Sequence, residues 1–275
     1  MVILLVLVII LVLFEVYALL LQCRNGHSGL KELRLFRYAH RGFFDADGAP
    51  ENSMAAFRKA LQNYYGVELD VHLMADGNLA VIHDSSLKRT AGADVEIEDL
   101  TTQQLAQYRL EGTEEKIPLF SQVLELFEGK TPLIVELKAA RGNHAALTEA
   151  VCTMLDKYQV SYCIESFDPR CLMWLKKHRP DVVRGQLAMA FLKKGQDGGL
   201  DLPKRFALQN LLLNCMTRPD FIAYRMEDRR QLSVWLCRKI YKVQEVNWTI
   251  KTKEEMKEAE RLGNLVIFEQ FDPRG

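Results

Sequence analysis

The feature that most constrains the fold is an alternation of short apolar runs with amphipathic segments of helical period. Segment 53–64 shows the helical pattern, because Asn52 or Ser53 can cap its start and Gly66 lies just past its end. Strands that alternate with helices over about 250 residues predict an α/β fold, a (β/α)8 TIM barrel. The candidate strands are 34–40, 67–73, 79–83, 132–137, 162–166, 183–187, 221–224, 245–249 and 265–269.

One candidate strand exceeds the eight that such a barrel requires. The pair Asp76-Gly77 separates runs 67–73 and 79–83, and an Asp-Gly pair between apolar runs indicates a hairpin. We therefore expect one of these two runs to return antiparallel above the barrel. The least regular region, 191–220, is expected to form a loop beside the barrel mouth, with a buried helix favoured over a lipid-facing one around Phe206.

The amino-terminal segment differs in composition from the rest. Met1 to Leu21 contains one charged side chain, Glu15, and as a helix it would be about 31 Å long, enough to cross a bilayer core. No basic residues precede the apolar run and no small-x-small cleavage site follows it, which favours a transmembrane helix over a signal peptide. The predicted organisation is an anchor at 1–22, a linker at 23–33 and a barrel domain at 34–275.

Charge provides an expectation about location and partners. Basic residues follow the apolar run closely, so the positive-inside rule predicts a single-pass protein of the cell membrane, with the barrel in the cytoplasm and the bilayer as a partner. The whole chain carries 36 basic and 36 acidic side chains, and this balance argues against a nucleic-acid partner. The basic residues after the run are Arg24, Lys31, Arg34, Arg37 and Arg41.

Carboxylates occur on the polar faces of two apolar strands. In run 67–73, Glu68 and Asp70 point to the same face, and in run 132–137 Glu136 is followed two residues later by Lys138. Buried carboxylates require a compensating positive charge. A divalent cation such as Mg²⁺ or Ca²⁺ would supply it, and an ion pair with Arg or Lys is the structural alternative.

Two histidines follow apolar strands, where barrel enzymes collect their reactive groups. His40-Arg41 ends the first strand, and His83-Asp84 ends the strand after the predicted hairpin. Imidazoles suit proton transfer near neutral pH. Together with the carboxylates, these residues predict a site for a phosphate ester held on a metal.

These residues belong to a longer ordered set of motifs, through which the chain resembles the glycerophosphodiester phosphodiesterase family, as a membrane-anchored member of bacterial type. The resemblance covers nearly all of residues 36–270. Its motifs are Tyr38-Ala39-His40-Arg41-Gly42, Pro50-Glu51-Asn52-Ser53, Glu68-Leu69-Asp70-Val71, Asp76-Gly77, His83-Asp84, Arg89-Thr90, Ile117-Pro118, Glu136-Leu137-Lys138, Glu165-Ser166-Phe167 and Trp248-Thr249.

The resemblance implies a barrel hydrolase that converts glycerophosphodiesters to glycerol 3-phosphate and an alcohol, through a cyclic phosphate formed by a neighbouring glycerol hydroxyl. It implies an acid/base pair formed by His40 and His83, and one Mg²⁺ or Ca²⁺ held by three carboxylates. The implied metal ligands are Glu68, Asp70 and Glu136, and the implied phosphate- and substrate-binding residues are Arg41, Lys138, Glu51 and Trp248.

Two alternatives remain open at this point. The chain has Ile267-Phe268-Glu269-Gln270 where many family members end with a Thr-Asp pair. Either Glu269 replaces the lost carboxylate or the polar end of the substrate is bound differently, so this departure concerns the substrate range. The anchor makes a lysophospholipase D acting on membrane lysolipids an alternative, which an exposed apolar rim around the mouth would favour over a closed polar pocket. A non-catalytic membrane receptor for phosphodiesters is less favoured, because a binding module has no need for both histidines.

Overall fold

The computed structural model describes residues 1–196 and 199–274, and nine strands organise this part of the chain. The strands are β1 Tyr38–His40, β2 Gly66–Leu73, β3 Leu79–Val81, β4 Leu133–Leu137, β5 Tyr162–Ser166, β6 Arg184–Ala188, β7 Phe221–Arg225, β8 Gln244–Ile250 and β9 Leu265–Phe268. The helices are α1 Val2–Leu20, α2 Leu30–Leu33, α3 Met54–Gln62, α4 Lys88–Ala91, α5 Thr102–Leu105, α6 Phe120–Phe127, α7 His144–Leu155, α8 Pro169–His178, α9 Leu202–Gln209, α10 Asn214–Thr217, α11 Leu232–Ile240 and α12 Lys253–Arg261, with 3-10 turns at Ile97–Asp99 and Met226–Asp228.

Eight of the strands close into a parallel barrel. The order is β1-β9-β8-β7-β6-β5-β4-β2, and β1 pairs with both β2 and β9, so no edge is left open. β3 pairs antiparallel with β2. The predicted TIM barrel and the predicted hairpin are both confirmed, and all nine candidate strands are present.

The helix after β1 shows how local sequence sets an element boundary. The Ser53 hydroxyl accepts a hydrogen bond from Ala56 N at 3.1 Å and caps α3, which buries Phe57 and Ala60 against the barrel. A cap of this kind satisfies a backbone N–H that has no partner within the helix. Asn52, the alternative cap, is therefore free to turn its side chain into the barrel.

The amino-terminal end of the barrel is closed by α2. Leu30 and Leu33 of this helix pack into a buried cluster with Tyr38, whose hydroxyl donates to Leu33 O at 2.9 Å. Arg24 forms two 2.6 Å hydrogen bonds to the buried carboxylate of Asp220. The segment predicted as a linker, 23–33, thus packs against the barrel, and the domain boundaries themselves stay a prediction.

Helix α1 has no buried residue, and in the described part of the chain it is the one helix long and apolar enough to cross a membrane. A signal sequence shares these properties. The helix is therefore a candidate for either role.

Gly185 on β6 provides a stability prediction. A Cβ built on Gly185 would lie 2.0 Å from the Phe221 ring, which packs over this position inside the barrel. Gly185→Ala should therefore lower the free energy of unfolding by about 1–3 kcal/mol, the usual cost of overpacking a core. Denaturant unfolding in detergent tests this, and Phe221→Leu in the same chain should reduce the cost of the Gly185→Ala change. An equal cost in both backgrounds would contradict the steric explanation.

Candidate active site

The strand register brings the predicted carboxylates together. β1 and β2 place His40 beside Glu68, and β2 and β4 place Asp70 beside Glu136. Carboxylate oxygens of Glu68, Asp70 and Glu136 all lie within 4.8 Å of one another, and all three residues are buried. The cluster lies towards the carboxyl ends of the strands, where barrel enzymes carry their sites.

Cationic and amide groups hold this cluster in place. Lys138 Nζ lies 2.8 Å from Glu136 Oε1 and 3.1 Å from Asp70 Oδ1. Asn52 Nδ2 donates to Asp70 Oδ2 at 2.8 Å. Burial opposes ionisation of Asp70, but the positive charge of Lys138, with smaller contributions from other groups, outweighs it and holds the pKa of Asp70 below its usual range.

The other two carboxylates are not fully compensated by the protein. Burial, reinforced by Asp70 and Glu136, raises the pKa of Glu68 well above its usual range. Burial also raises the pKa of Glu136 to about 7, although Lys138 opposes the shift. Glu165, beside Glu136 on β5, is a fourth buried carboxylate with a raised pKa, caused by burial and by Glu136. This excess of buried negative charge fits an additional cation.

The chemistry of the three clustered side chains also fits such an ion. Hard divalent cations bind oxygen ligands and favour carboxylates. Asp70 Oδ1 is buried and, apart from its ion pair with Lys138 Nζ, has no hydrogen-bond partner, so it keeps a lone pair for a ligand bond. Glu68, Asp70 and Glu136 are therefore the residues that could hold a metal.

His40 is oriented by the residue that departs from the family pattern. Its Nδ1 lies 2.6 Å from Glu269 Oε2, and Lys251 Nζ lies 3.1 Å from the other Glu269 oxygen. His40 Nε2 faces the carboxylate cluster and lies 3.8 Å from Glu68 Oε2. Burial would raise the pKa of Glu269, but His40 and Lys251 lower it to about 2, while burial lowers the pKa of His40. Glu269 thus supplies a carboxylate that fixes the imidazole.

His83 is paired with a carboxylate in a similar way. Its Nδ1 lies 2.6 Å from Asp84 Oδ1, and Arg89 Nε donates to the second Asp84 oxygen at 2.6 Å. Arg89 also donates to Glu51, which accepts from Arg41 Nη1 at 3.0 Å. Burial lowers the pKa of His83 to about 4, although Asp70 opposes the shift. A continuous chain of ion pairs thus joins His83 to Arg41, the residue predicted to bind the phosphate.

A pocket of about 350 Å³ joins these groups at the barrel mouth. Its polar side is formed by both histidines, Arg41 and the carboxylates, and its opposite side is apolar and formed by Phe167, Leu187 and Trp248. Trp248 Nε1 donates to Ala223 O at 3.1 Å, which fixes the indole ring. The pocket can therefore receive a ligand with a charged part and an apolar part.

All the residues predicted for the site occupy one region. His40, Arg41, Glu51, Glu68, His83, Glu136 and Trp248 line the pocket, while Asp70 and Lys138 join it through Glu136. The sequence alone assigned no role in the site to Asn52, Arg89, Glu165 and Phe167, although each lies in one of the family motifs. It did not single out Lys251, whose contact with Glu269 arises only from the fold.

Fold and pocket together define a barrel protein with two carboxylate-paired histidines beside a carboxylate cluster. The sequence matches the Glycerophosphoryl diester phosphodiesterase family over residues 40–269. The chain therefore belongs to this family.

Individual relatives match part of the chain. Glycerophosphodiester phosphodiesterases of Caldanaerobacter subterraneus subsp. tengcongensis and Bacillus altitudinis are 31% and 33% identical, over 54% and 55% of this chain and 65% and 66% of their own lengths. A lysophospholipase D of Rattus norvegicus is 29% identical over 68% of this chain and 56% of its own length. The chain thus spans less than two thirds of the length of each of these relatives.

Solved structures share the barrel. A phosphodiesterase of Oleispira antarctica, in complex with the product sn-glycerol-3-phosphate, superposes with a TM-score of 0.69 at 22% identity, covering 85% of this chain and 92% of that one. A glycerophosphodiester phosphodiesterase of Thermotoga maritima gives 0.64 at 25% identity, covering 85% and 94%. The architecture is therefore that of solved members of the family.

Proposed function

We propose that the protein is a metal-dependent phosphodiesterase that hydrolyses glycerophosphodiesters to glycerol 3-phosphate and an alcohol. The observation that carries this proposal is the pair His40 and His83, each held through Nδ1 by a carboxylate, around one pocket with a buried cluster of three carboxylates. Two imidazoles with fixed orientation can act as base and acid in one reaction. Family membership supports the same activity.

Each residue has a distinct task in this proposal. Arg41 and Lys138 hold the phosphate through their positive charge, and Glu51 fixes the Arg41 guanidinium. One histidine takes the proton of the attacking glycerol hydroxyl, and the other gives a proton to the leaving alcohol oxygen, which leaves a cyclic glycerol phosphate. Water then attacks this cyclic phosphate with the two histidine roles exchanged, and the P–O bond to the hydroxyl that attacked first breaks to give glycerol 3-phosphate. Because the nucleophile belongs to the substrate, its effective concentration is high. Trp248 contacts the part of the substrate that reaches the apolar wall.

The cofactor in this proposal is one divalent cation, Mg²⁺ or Ca²⁺. It would be held by Glu68, Asp70 and Glu136 and would supply positive charge next to the phosphoryl oxygens. The protein groups around it already limit the excess negative charge, because Lys138 contacts two of the three ligands.

The direct test is release of glycerol 3-phosphate from glycerophosphocholine and glycerophosphoethanolamine. The full chain in detergent is assayed with Mg²⁺, with Ca²⁺ and with EDTA. The proposal expects release that depends on metal and stops with EDTA. Binding of the diester by folded protein without release under any condition would favour a non-catalytic receptor and would overturn the proposal.

Glu269→Gln provides a test of the His40 orientation. An amide can donate to Nδ1 and so favours the neutral tautomer with the proton on Nε2. This tautomer cannot accept a proton as a base, and without the charge of the imidazolium it is a weak acid, so either role of His40 is impaired. We expect a fall in kcat of about 10²-fold or more, with little change in KM, by analogy with loss of the triad carboxylate in serine proteases. Gln270→Asn is the control, because Gln270 is the next residue of the pocket lining and its side chain forms no hydrogen bond to His40 in the described part of the chain. Unchanged kcat in Glu269→Gln would contradict a positioning role for Glu269.

Lysophospholipase D activity is a second candidate, favoured by the apolar wall of the pocket. Phe167, Leu187 and Trp248 form a surface for an acyl or other apolar group that a water-soluble diester does not present. Choline release from lysophosphatidylcholine, compared with release from glycerophosphocholine, distinguishes the two substrates.

We further propose that α1 spans the cell membrane once and that the barrel faces the cytoplasm. The exposed apolar surface of α1 and the basic residues that follow it support this topology. A reporter fused to the carboxyl terminus and active in one compartment only tests the orientation. Activity outside the cytoplasm would contradict it.

A further inference from the structure

The contacts of residues 17–24, at the carboxyl-terminal end of α1 and just after it, define the direction in which this helix leaves the barrel. Arg24 N donates to Pro219 O at 2.9 Å, just before β7 begins, at the amino-terminal end of the barrel. Cys237 Sγ, halfway along α11, donates to Leu21 O at 3.7 Å, and Tyr17 packs against the buried cluster that contains Tyr224, the penultimate residue of β7, and Val234 near the start of α11. From Arg24 back to Tyr17 the chain thus climbs along β7 towards the carboxyl ends of the strands. Residues 2–16 of α1 are all exposed, so from this level the helix leaves the barrel on the side of the end that carries the pocket.

Exposed apolar side chains flank α1 at this same end. Helix α9 follows β6 and contains no buried residue, and its Leu202 and Phe206 are 64% and 52% exposed on one face. Helix α11 follows β7, and near its start Leu232 and Trp235 are 60% and 55% exposed. The expectation of a buried helix is therefore wrong for Phe206, although Leu211 in the same region is buried. We call Leu202, Phe206, Leu232 and Trp235 the mouth surface.

Basic side chains border the mouth surface. Lys193, Lys194 and Lys204 lie close in sequence to the apolar residues of α9, and Arg230 precedes Leu232 by two positions. All four are exposed, and within the described residues Lys194 and Arg230 have no acidic partner within 4.0 Å. Apolar and aromatic side chains bordered by Lys and Arg are typical of surfaces that lie in the headgroup region of a bilayer.

An apolar path also joins this surface to the pocket. Leu192 follows Phe191, whose ring is 5.9 Å from that of Phe167. Phe167 in turn lies 5.6 Å from Trp248 in the pocket wall. Arg205 of α9 donates to Phe191 O at 2.8 Å, so this aromatic series runs from the pocket wall to the side of α9.

We propose that the mouth surface lies in the headgroup region of the same bilayer that α1 crosses, so that the barrel opens towards the membrane. The occupant of this surface is the lipid bilayer, because the surface is continuous with α1 and is bordered by basic groups that complement anionic headgroups. The inference rests on α1 as a membrane span. Its consequence for substrate, entry of a lipid with a single apolar chain from the bilayer side, rests on the proposed function.

Lipid contact is tested on the full chain in phosphatidylcholine and phosphatidylglycerol vesicles. A bimane label is placed at Phe206→Cys in a Cys215→Ser background, since the other five cysteines are buried. The matched control is Leu35→Cys, a label on the exposed Leu35 at the amino-terminal end of the barrel. Lipids with a doxyl group high on the acyl chain should quench the label at 206 at least about threefold more than the label at 35, if the residue enters the interface.

Equal quenching at both positions would overturn the proposal, whether or not the protein is active. A label at 206 that lipids do not quench, but that is shielded from iodide in water, would indicate a protein partner and would also overturn it. This measurement needs no catalysis, so its failure is distinct from failure of the proposed function.

A substrate comparison tests the functional consequence. The double variant Leu202→Glu, Phe206→Glu should hydrolyse glycerophosphocholine in detergent at the wild-type rate. Its rate on lysophosphatidylcholine in vesicles should fall about tenfold or more, since two apolar side chains no longer enter the interface. Leu35→Glu should leave both rates unchanged. Equal rates on vesicle substrate for wild type and double variant would contradict the consequence for substrate entry.

Discussion

Replacing His40 with alanine should lower kcat for glycerophosphocholine by about 10²–10⁴-fold, the usual contribution of a positioned general acid or base. His40 is the imidazole fixed by Glu269, and its Nε2 faces the carboxylate cluster at 3.8 Å from Glu68. Alanine removes the proton carrier while leaving the cluster in place. Initial rates of glycerol 3-phosphate release, with KM measured in parallel, provide the test.

His144→Ala is the matched control for this substitution. His144 begins α7 at the same end of the barrel but does not line the pocket. Its removal should leave kcat within about twofold of wild type, because a residue that does not line the pocket cannot take part in proton transfer there. Wild-type activity in a folded His40→Ala protein would remove His40 from the catalytic pair.

The leaving group then assigns the two histidine roles. In a glycerophosphodiester that carries p-nitrophenol, the leaving group departs as p-nitrophenolate without being protonated. Cleavage of this ester therefore depends little on the general acid. His40→Ala and His83→Ala are compared on this ester and on glycerophosphocholine. The variant whose defect shrinks on the activated ester lacks the acid, and the variant whose defect persists lacks the base.

The barrel was predictable because its signal is distributed along the whole chain. Each β-branched run predicts a strand by itself, and the alternation with helices leaves few topologies that bury every run. The extra strand was also predictable, since Asp76-Gly77 specifies a tight return. The exposure of Phe206 on helix α9 was not predicted, because the spacing of apolar residues does not show whether another element covers a helix. Its exposure became visible only when the neighbouring elements were in place.

The site was predictable where its residues lie on strands and less so where long-range contacts complete it. Glu68 and Asp70 share a strand face by period, so their proximity follows from sequence. The pairing of Glu269 with His40 depends on closure of the barrel between β1 and β9, which no local pattern shows. The contact of Lys251 with Glu269 and that of Asn52 with Asp70 arise in the same way. Closure of the barrel between β1 and β9 therefore places Glu269, which stands where many family members have a Thr-Asp pair, beside His40.

Removing one carboxylate from the cluster should not lower the stability of the metal-free protein, but it should lower the stability of the metal-bound protein. In Glu68→Gln without metal, the repulsion from Asp70 and Glu136 disappears, so thermal stability should equal or exceed that of wild type. Wild-type protein at a metal concentration about 100 times its dissociation constant should gain about 2.7 kcal/mol. Glu68→Gln should lose most of this gain and most of its activity, because it lacks a ligand.

Thermal unfolding with EDTA, Mg²⁺ and Ca²⁺ measures these effects independently of turnover. Glu165→Gln is the matched control, since it neutralises an equally buried carboxylate that lies on β5 next to Glu136 and outside the group of three. Glu165→Gln should also relieve repulsion among the buried carboxylates, yet it should keep the rise in unfolding temperature that the metal causes. A metal shift of wild-type size in Glu68→Gln would show that the cation is held elsewhere. Loss of the shift in Glu68→Gln alone would identify Glu68 as a ligand, since both variants remove the same charge at a similar depth.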